Sequence, residues 1–535
     1  MNGWFTTADW IVLFGYLILT TVMGHFMAGK QATIKDFFAG GKSLPWWAVC
    51  GSIIATEISG VTFIGVPGGV LAAGGDFTYM LWGIGSIMGR VIVGMVFVKV
   101  FYEDEIYSPY DYMGRRIKPE LKTLATAFFT VGSILGQSVR ILVAALPLRV
   151  VTGLPFEFCI LIIGVFAIGW TLMGGMRTVI WTDVMQFVLF TFGGLFTLFW
   201  ISNAIDGGWG TIWNTATDAG KTKTWDLRWG IGPDLQFTFW VAVIAVPFQN
   251  LTAFGVDQLN AQRMFCCQNA GDARKAIIWS SVGQALTYLM LLVGAALFTF
   301  YYLNPPEGKV AAELAIQKAG EAATLANGGQ PSDGDMVFPI WIVTELPAGL
   351  AGLVLAGVFA AAISSLDSIL AALSQTTISL IHNPENNKDL DQQMLVKQSR
   401  KWVVIWGVSL TLFTILMNSV KDSLGVPILP LAFGMTSYTM GPLLGMFLCA
   451  LLGKGSFKGI LWGACASFVL TTFVRMDVWV LVKKMTGGVD WLTMLPTYGF
   501  NDAGNVTALL GSHWMWPIGT LLTFGGGLLG VKMKW

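Results

Sequence analysis

The chain has 535 residues, of which 54% are hydrophobic and only 12% charged, and its mean hydropathy is +0.65. A soluble protein would carry roughly twice that charged fraction, which excludes a soluble globular domain, and a formal net charge of +1 gives no sign of a nucleic-acid partner. The six cysteines match no disulfide or zinc spacing and the three histidines are scattered, so neither an oxidised scaffold nor a transition-metal centre is expected.

Apolar blocks of about 20 residues, each long enough to cross a bilayer core of roughly 30 Å, recur along the whole length. Spans are predicted at 6–28, 45–73, 77–101, 121–151, 155–175, 178–203, 237–258, 275–303, 349–381, 400–420, 426–452, 456–482 and 513–531. The expected fold class is therefore an all-α polytopic membrane protein of about thirteen helices. The first block lacks a basic leader and an Ala-x-Ala site, so it reads as a retained helix. With the N-terminus outside, the inner segments hold about twice as many Lys and Arg as the outer ones, which favours N-terminus out and C-terminus in. No linker separates domains, and 1–535 reads as one membrane transport domain. Phe338 to Leu346 is expected to add a short helix over the outer mouth.

In chain order, the second span carries Gly60, Gly65, Pro67, Gly68 and Gly69 beside Thr56, Glu57, Ser59 and Thr62, a pattern that predicts local unwinding. Arg90 lies within the third span and closes an internal ion pair or caps carbonyls. The fourth holds Gln137, Ser138 and Arg140, whose planar guanidinium suits a carboxylate; substrate contact and pairing with Glu57 or Asp367 both remain open. The seventh span breaks at Pro247, followed by Gln249, Asn250, Thr252 and Gly255. Breaks five spans apart point to an inverted-repeat transporter with a midplane site.

The ninth span reads Ala361-Ala362-Ile363-Ser364-Ser365-Leu366-Asp367-Ser368. Positions 361, 364/365 and 368 share one helical face, so hydroxyls and a freed carbonyl can converge on a small hard cation, although membrane serines also bond back to the preceding turn. Glu57 and Asp367 would each cost about 2.5–3.5 kcal/mol at the bilayer centre, so each needs a partner, a water cavity or protonation. Two other motifs fail. Gly41-Lys42-Ser43 lacks the upstream P-loop glycine, since Asp36 stands there, and Gly83, Gly85 and Gly89 lie in an apolar span where they suit close helix packing.

The Ser364-Ser365 pair, Trp181-Thr182-Asp183 after Gly174-Gly175, Gln262-Arg263 after the broken span, and Gly441-Pro442 together resemble the sodium/solute symporter family over about residues 8–455. Gly41-Lys42-Ser43-Leu44-Pro45-Trp46-Trp47 is also similar to its bacterial sugar transporters, which implies a bacterial inner membrane. The resemblance implies a LeuT-type ten-helix core of two five-helix repeats at 45–203 and 237–452, with 6–28 and 456–535 outside it. It also implies Na⁺ as the coupling ion, bound by the carbonyls of Ala55, Ile58 and Ala361 and the hydroxyls of Ser364 and Ser365. Members with a second sodium use the Asp of the Trp-Thr-Asp motif, here Asp183, which Ser368 joins if the spans touch; Asp183 is otherwise a helix-end acid opposing the macrodipole. Family geometry puts Gln249, Asn250 and Tyr438 around the substrate or its gates, and Glu57, Thr62, Arg140 and Asp367 are read as further candidate substrate contacts. Glu57 replaces the neutral residue of the sugar-transporting members.

The expected function is sodium-coupled symport of a small polar organic solute by alternating access, the solute being a carboxylate-bearing sugar acid or a monocarboxylate. A neutral-sugar symporter and a proton-coupled carrier using Glu57 or Asp367 are the alternatives. A membrane enzyme would need a nucleophile or metal set, which the scattered histidines do not supply. A sensor would need a signalling domain, and none follows Trp535. The expected partners are the solute and the lipid bilayer, and no obligate protein partner is indicated.

Overall fold

The structure, a computed structural model, describes residues 5–27, 38–72, 74–104, 106, 108–173, 175–305, 334–382, 391–424, 428–475, 478–479, 482, 485–486, 498–500 and 506–534. Helices stand at each of the thirteen predicted places. They are α1 (Thr7–Met27), α2 (Trp46–Glu57 and Val61–Leu71), α3 (Thr78–Glu103), α4 (Pro119–Thr152), α5 (Phe156–Met173), α6 (Met176–Ala204), α7 (Phe239–Gly255 and Gln258–Met264), α8 (Ala270–Leu303), α9 (Leu350–His382), α10 (Gln392–Leu424), α11 (Leu429–Leu452), α12 (Phe457–Val474) and α13 (Ser512–Lys532). In lipid a spanning helix satisfies its own backbone, so uninterrupted apolar blocks fold in this way.

The two predicted breaks are present. The halves of α2 are bent by 53° and those of α7 by 58°. In α2, Ile58 leaves helical geometry (φ −77°, ψ 76°) and the chain re-enters through a π-helical turn at Val61–Gly65 before Pro67. In α7, Asp257 starts the second half by accepting a hydrogen bond from the Leu259 amide at Oδ1 (2.8 Å).

Burial separates centre from periphery. The most apolar stretches of α4, α8 and α11 are each 72% buried, against 17% for α1. Even so, α1 is fastened to α9, because the buried Asp9 carboxylate accepts the Gly349 and Gly352 amides at the start of that helix (2.7 and 2.9 Å). On the other flank α13 packs against α11 and α12. A Cβ at Gly459 would lie 2.1 Å from the Gly526 carbonyl oxygen, so this crossing requires glycine.

The α6–α7 connection carries a helix at Gly208–Asp218 and the α8–α9 connection one at Val337–Glu345, the latter where a short helix was expected. Between α12 and α13, β1 (Tyr498–Phe500) pairs antiparallel with β2 (Val506–Ala508), the one sheet among the described residues. Lys221 is buried and donates to the carbonyls of Val70 and Ala72 (2.6 and 2.8 Å), closing the C-terminal end of α2. Burial pushes its ammonium down to about 8. In the same α6–α7 connection, hydrogen bonds from Arg228 hold the Asp226 carboxyl down at about 2.

Candidate functional site

The two broken helices, with α3, α4, α8 and α11, surround a central cavity of about 190 Å³. Glu57, Thr62, Arg140, Gln249 and Asn250 line it, so five of the residues read from the sequence as substrate contacts share one chamber. Tyr438 and Asp367 do not lie on its wall. Tyr438 is buried against Phe468 of α12, and Asp367 lines a small cavity of about 20 Å³ with Thr20, Thr21 and His25 of α1.

Glu57 is paired with Arg90, not Arg140. Arg90 is fully buried, sits 4.4 Å from the Phe254 ring and donates to Ser280 Oγ (3.3 Å). The other Glu57 oxygen accepts from Gln284 Nε2 (3.0 Å). An ion pair plus a charge-assisted hydrogen bond meets the cost of placing this acid at membrane depth. It also ties the broken segment of α2 to α3 and α8. Arg140 has no such partner, and its buried Nη1 has no hydrogen bond among the described residues.

The break in α2 redirects two amides. The Ser59 N–H, which would continue the helix by bonding to Ala55, goes to the Glu57 carbonyl (2.9 Å), and the Thr62 N–H, which would bond to Ile58, goes to the Ser59 carbonyl (2.9 Å). The carbonyls of Ala55 and Ile58, the two read as sodium ligands, are thereby released from the helical ladder. Facing them, α9 packs against α2 and buries Ser365 completely. The side chains of Ala361 and Ser364 lie outside the described residues.

Asp183 of α6 and Ser368 of α9 are brought together, with Arg263 of α7 between them. Arg263 Nη2 lies 3.1 Å from Asp183 Oδ2 and donates to Ser368 Oγ (2.7 Å), while Nε donates to Ser52 Oγ of α2 (2.9 Å) and Nη1 to the Leu259 carbonyl (2.7 Å). Ser52 donates to Asp183 (2.5 Å) and Ser368 to Asp367 (3.1 Å). Asp183 and Arg263 are both wholly buried. The cluster thus joins four helices that belong to both halves of the chain.

Sequence reasoning missed Ser133, Gln284, Asp257 and Asn260, all on the cavity wall. Ser133, Gln137 and Arg140 are spaced i, i+4, i+7, one face of α4, and that periodicity was the available signal. Asn260 had none, since it falls just past the predicted end of the seventh span at 258.

The profile of the Sodium:solute symporter family matches residues 37–463. The chain belongs to that family. It is 28% identical to the sodium/sialic acid symporter SiaT of Proteus mirabilis over 75% of this chain and 76% of that one. It is 27% identical to the sodium-coupled monocarboxylate transporter 1 of Homo sapiens over 88% and 74%. A solved structure of a Na⁺-coupled sialic acid symporter in a substrate-bound outward-open state covers 99% of this chain and 98% of its own, with TM-score 0.78 at 24% identity. The fold is that of the LeuT-type sodium symporters, with their inverted-repeat core. The symporter is an integral membrane protein that couples Na⁺ to transport of a small organic solute, and its relatives are transporters, not enzymes.

Proposed function

We propose that the symporter takes up a carboxylate-bearing organic solute together with one sodium ion, by alternating access about the central cavity. The observation that carries this reading is Arg140. Near the chamber Arg90 and Arg263 are wholly buried and ion-paired, whereas Arg140 lies half-buried on the cavity wall with no ion pair, and its Nη1 has no hydrogen bond among the described residues. Asp257 lines the same wall, yet no ion pair or hydrogen bond joins it to Arg140 among the described residues, so a solute carboxylate can engage that guanidinium through charge-assisted hydrogen bonds. The relatives named for sialic acid and for monocarboxylates carry acids, in line with this chemistry.

The sodium ligands are the carbonyls of Ala55 and Ile58, supported by the redirected amides of α2, with the Ala361 carbonyl and the Ser364 and Ser365 hydroxyls of the family motif. Neutral oxygens suit an ion that must be both bound and released. At the second position, Arg263 already supplies a positive charge to Asp183, so a second sodium would have to displace a buried guanidinium held by four hydrogen-bonding groups. We therefore assign one sodium per cycle. With a monoanionic solute the cycle then moves no net charge, and each tenfold sodium gradient supports about a tenfold solute gradient, 1.4 kcal/mol in either direction. Proton coupling through Glu57 is disfavoured, because that side chain is already engaged by Arg90 and Gln284.

All of this is assigned to one transport domain, residues 1–535. The N-terminus is placed outside and the C-terminus in the cytoplasm of a bacterial inner membrane, on the distribution of Lys and Arg. Uptake by Arg140→Ala and Arg140→Lys tests the reading. The solute KM should rise at least tenfold in both, because lysine cannot reproduce the planar fork; a KM unchanged by Arg140→Ala would remove the carboxylate contact.

A further inference from the structure

Besides Glu57 Oε2, which is ion-paired with Arg90, four side chains on the wall of the central cavity carry a polar atom that is buried and has no hydrogen-bond partner among the described residues: Arg140 Nη1, Gln137 Oε1, Ser133 Oγ and Asn260 Oδ1. The last three residues are each more than nine-tenths buried. Buried polar groups are nearly always paired, so orphans gathered in one chamber describe the complement of what fills it. Arg140 needs an acceptor. Asn260 needs a donor, and its orientation is fixed, because Nδ2 is held by the Ala253 carbonyl (2.8 Å) and Oδ1 therefore faces the orphan position. Asp257 lines the same wall with its Oδ1 already held by the Leu259 amide, so further acceptor capacity stands beside Arg140.

On this basis, and resting on the carboxylate reading above, we propose that the transported solute is a six-carbon polyhydroxy monocarboxylate, an aldonate or uronate. The anion goes to Arg140, and the hydroxyls donate to Asn260, Gln137 and Ser133. Length and volume set the carbon count. Ser133 and Arg140 are seven residues apart on one face of α4, about 10 Å at 1.5 Å per residue, which an extended six-carbon chain with its terminal oxygens spans. A cavity of about 190 Å³ is only moderately larger than one of about 150 Å³ that holds benzene. A nine-carbon sugar acid would extend beyond it, and a short acid with one hydroxyl would leave most of its orphan groups unpaired. A site that hydrogen-bonds hydroxyls rejects analogues lacking them, because its own groups are then left unpaired.

The test is thermal stabilisation and equilibrium binding with the full-length purified symporter in lipid nanodiscs, with and without Na⁺. The probes are D-gluconate, D-galactonate, D-glucuronate, D-galacturonate, D-glucose, L-lactate, N-acetylneuraminate and L-alanine. At least one six-carbon acid should bind in a Na⁺-dependent manner, at least tenfold tighter than each of the other four. Asn260→Leu should reduce that affinity about tenfold while leaving any weak lactate binding unchanged; where this variant is poorly folded, Ser133→Ala serves the same purpose. Preference for lactate, N-acetylneuraminate or alanine, or no binding of any six-carbon acid, overturns the six-carbon assignment while leaving the Arg140 contact standing if the preferred probe is an acid. Preference for glucose over every acid overturns both readings.

Discussion

Arg263 and Asp183 form an ion pair with no solvent exposure on either side chain, Nη2 to Oδ2 at 3.1 Å, where the second half of α7 meets the N-terminal part of α6. Through Ser52 and Ser368 the same guanidinium also touches α2 and α9, so one residue of the second half holds both elements proposed to build the sodium site.

Breaking this pair from one side leaves a charge buried without compensation, which costs about 3–5 kcal/mol. Asp183→Asn should therefore lower the unfolding temperature markedly, and Asp183→Asn combined with Arg263→Gln should regain part of the loss. Thermal unfolding of the purified variants is the check, and equal stability of the single and double variants would contradict it.

Glu57 lies between the two carbonyls assigned to sodium, and its carboxylate is anchored by Arg90 and Gln284. Glu57→Gln keeps an acceptor for Gln284 but loses the ion pair, which loosens the released segment of α2. The sodium concentration for half-maximal uptake should rise about tenfold, the equivalent of 1.4 kcal/mol. If Arg90, then unpaired, prevents folding, Glu57→Gln with Arg90→Gln restores the fold and keeps the weakened sodium response.

Ser365→Ala removes one of the five proposed sodium oxygens. Half-saturation by sodium should shift several-fold, about 1 kcal/mol for one ligand contact, with a smaller change in maximal uptake. An unchanged sodium response would take Ser365 out of the site.

The pH dependence of Lys221 has a definite sign. Its folded-state value, about 8, lies below the ordinary lysine value of 10.5, so between the two the unfolded chain binds more protons and stability rises with pH. The contribution is complete above about 10.5 and is lost as pH falls through about 8. Wild type should thus gain stability relative to Lys221→Met between pH 8 and 10, measured as the difference in unfolding temperature; a gain on lowering the pH would contradict the burial of that ammonium.

The helices and both breaks were legible in the sequence because each follows from local chemistry: apolar runs of bilayer length, and Gly or Pro clusters beside polar residues. Thr62, Gln249 and Asn250 were found on the cavity wall for the same reason, since they flank those breaks. The pairing of charges was not legible. Glu57 meets Arg90 of α3, although Arg140 was an equally good partner by composition, and only the crossing of α2 with α3 and α8 decides between them. Arg263 was visible as half of a family motif, yet its role as counter-ion to Asp183 depends on the 58° bend that turns the second half of α7 towards α6. Asp367 was placed with the substrate because it is an acid in a functional segment, whereas the rotation of α9 directs it to the small cavity beside α1.

The central claim is that Na⁺ and a solute carboxylate at Arg140 move together, one of each. Proteoliposomes containing the purified symporter, loaded in turn with inward Na⁺ or H⁺ gradients and with the membrane potential set by K⁺ and valinomycin, measure this most directly using a labelled six-carbon sugar acid. Accumulation that requires the Na⁺ gradient, does not respond to the H⁺ gradient and is insensitive to the imposed potential is the predicted result. Uptake that proceeds without Na⁺ would contradict sodium coupling, and uptake that strengthens with an inside-negative potential would contradict the one-to-one stoichiometry.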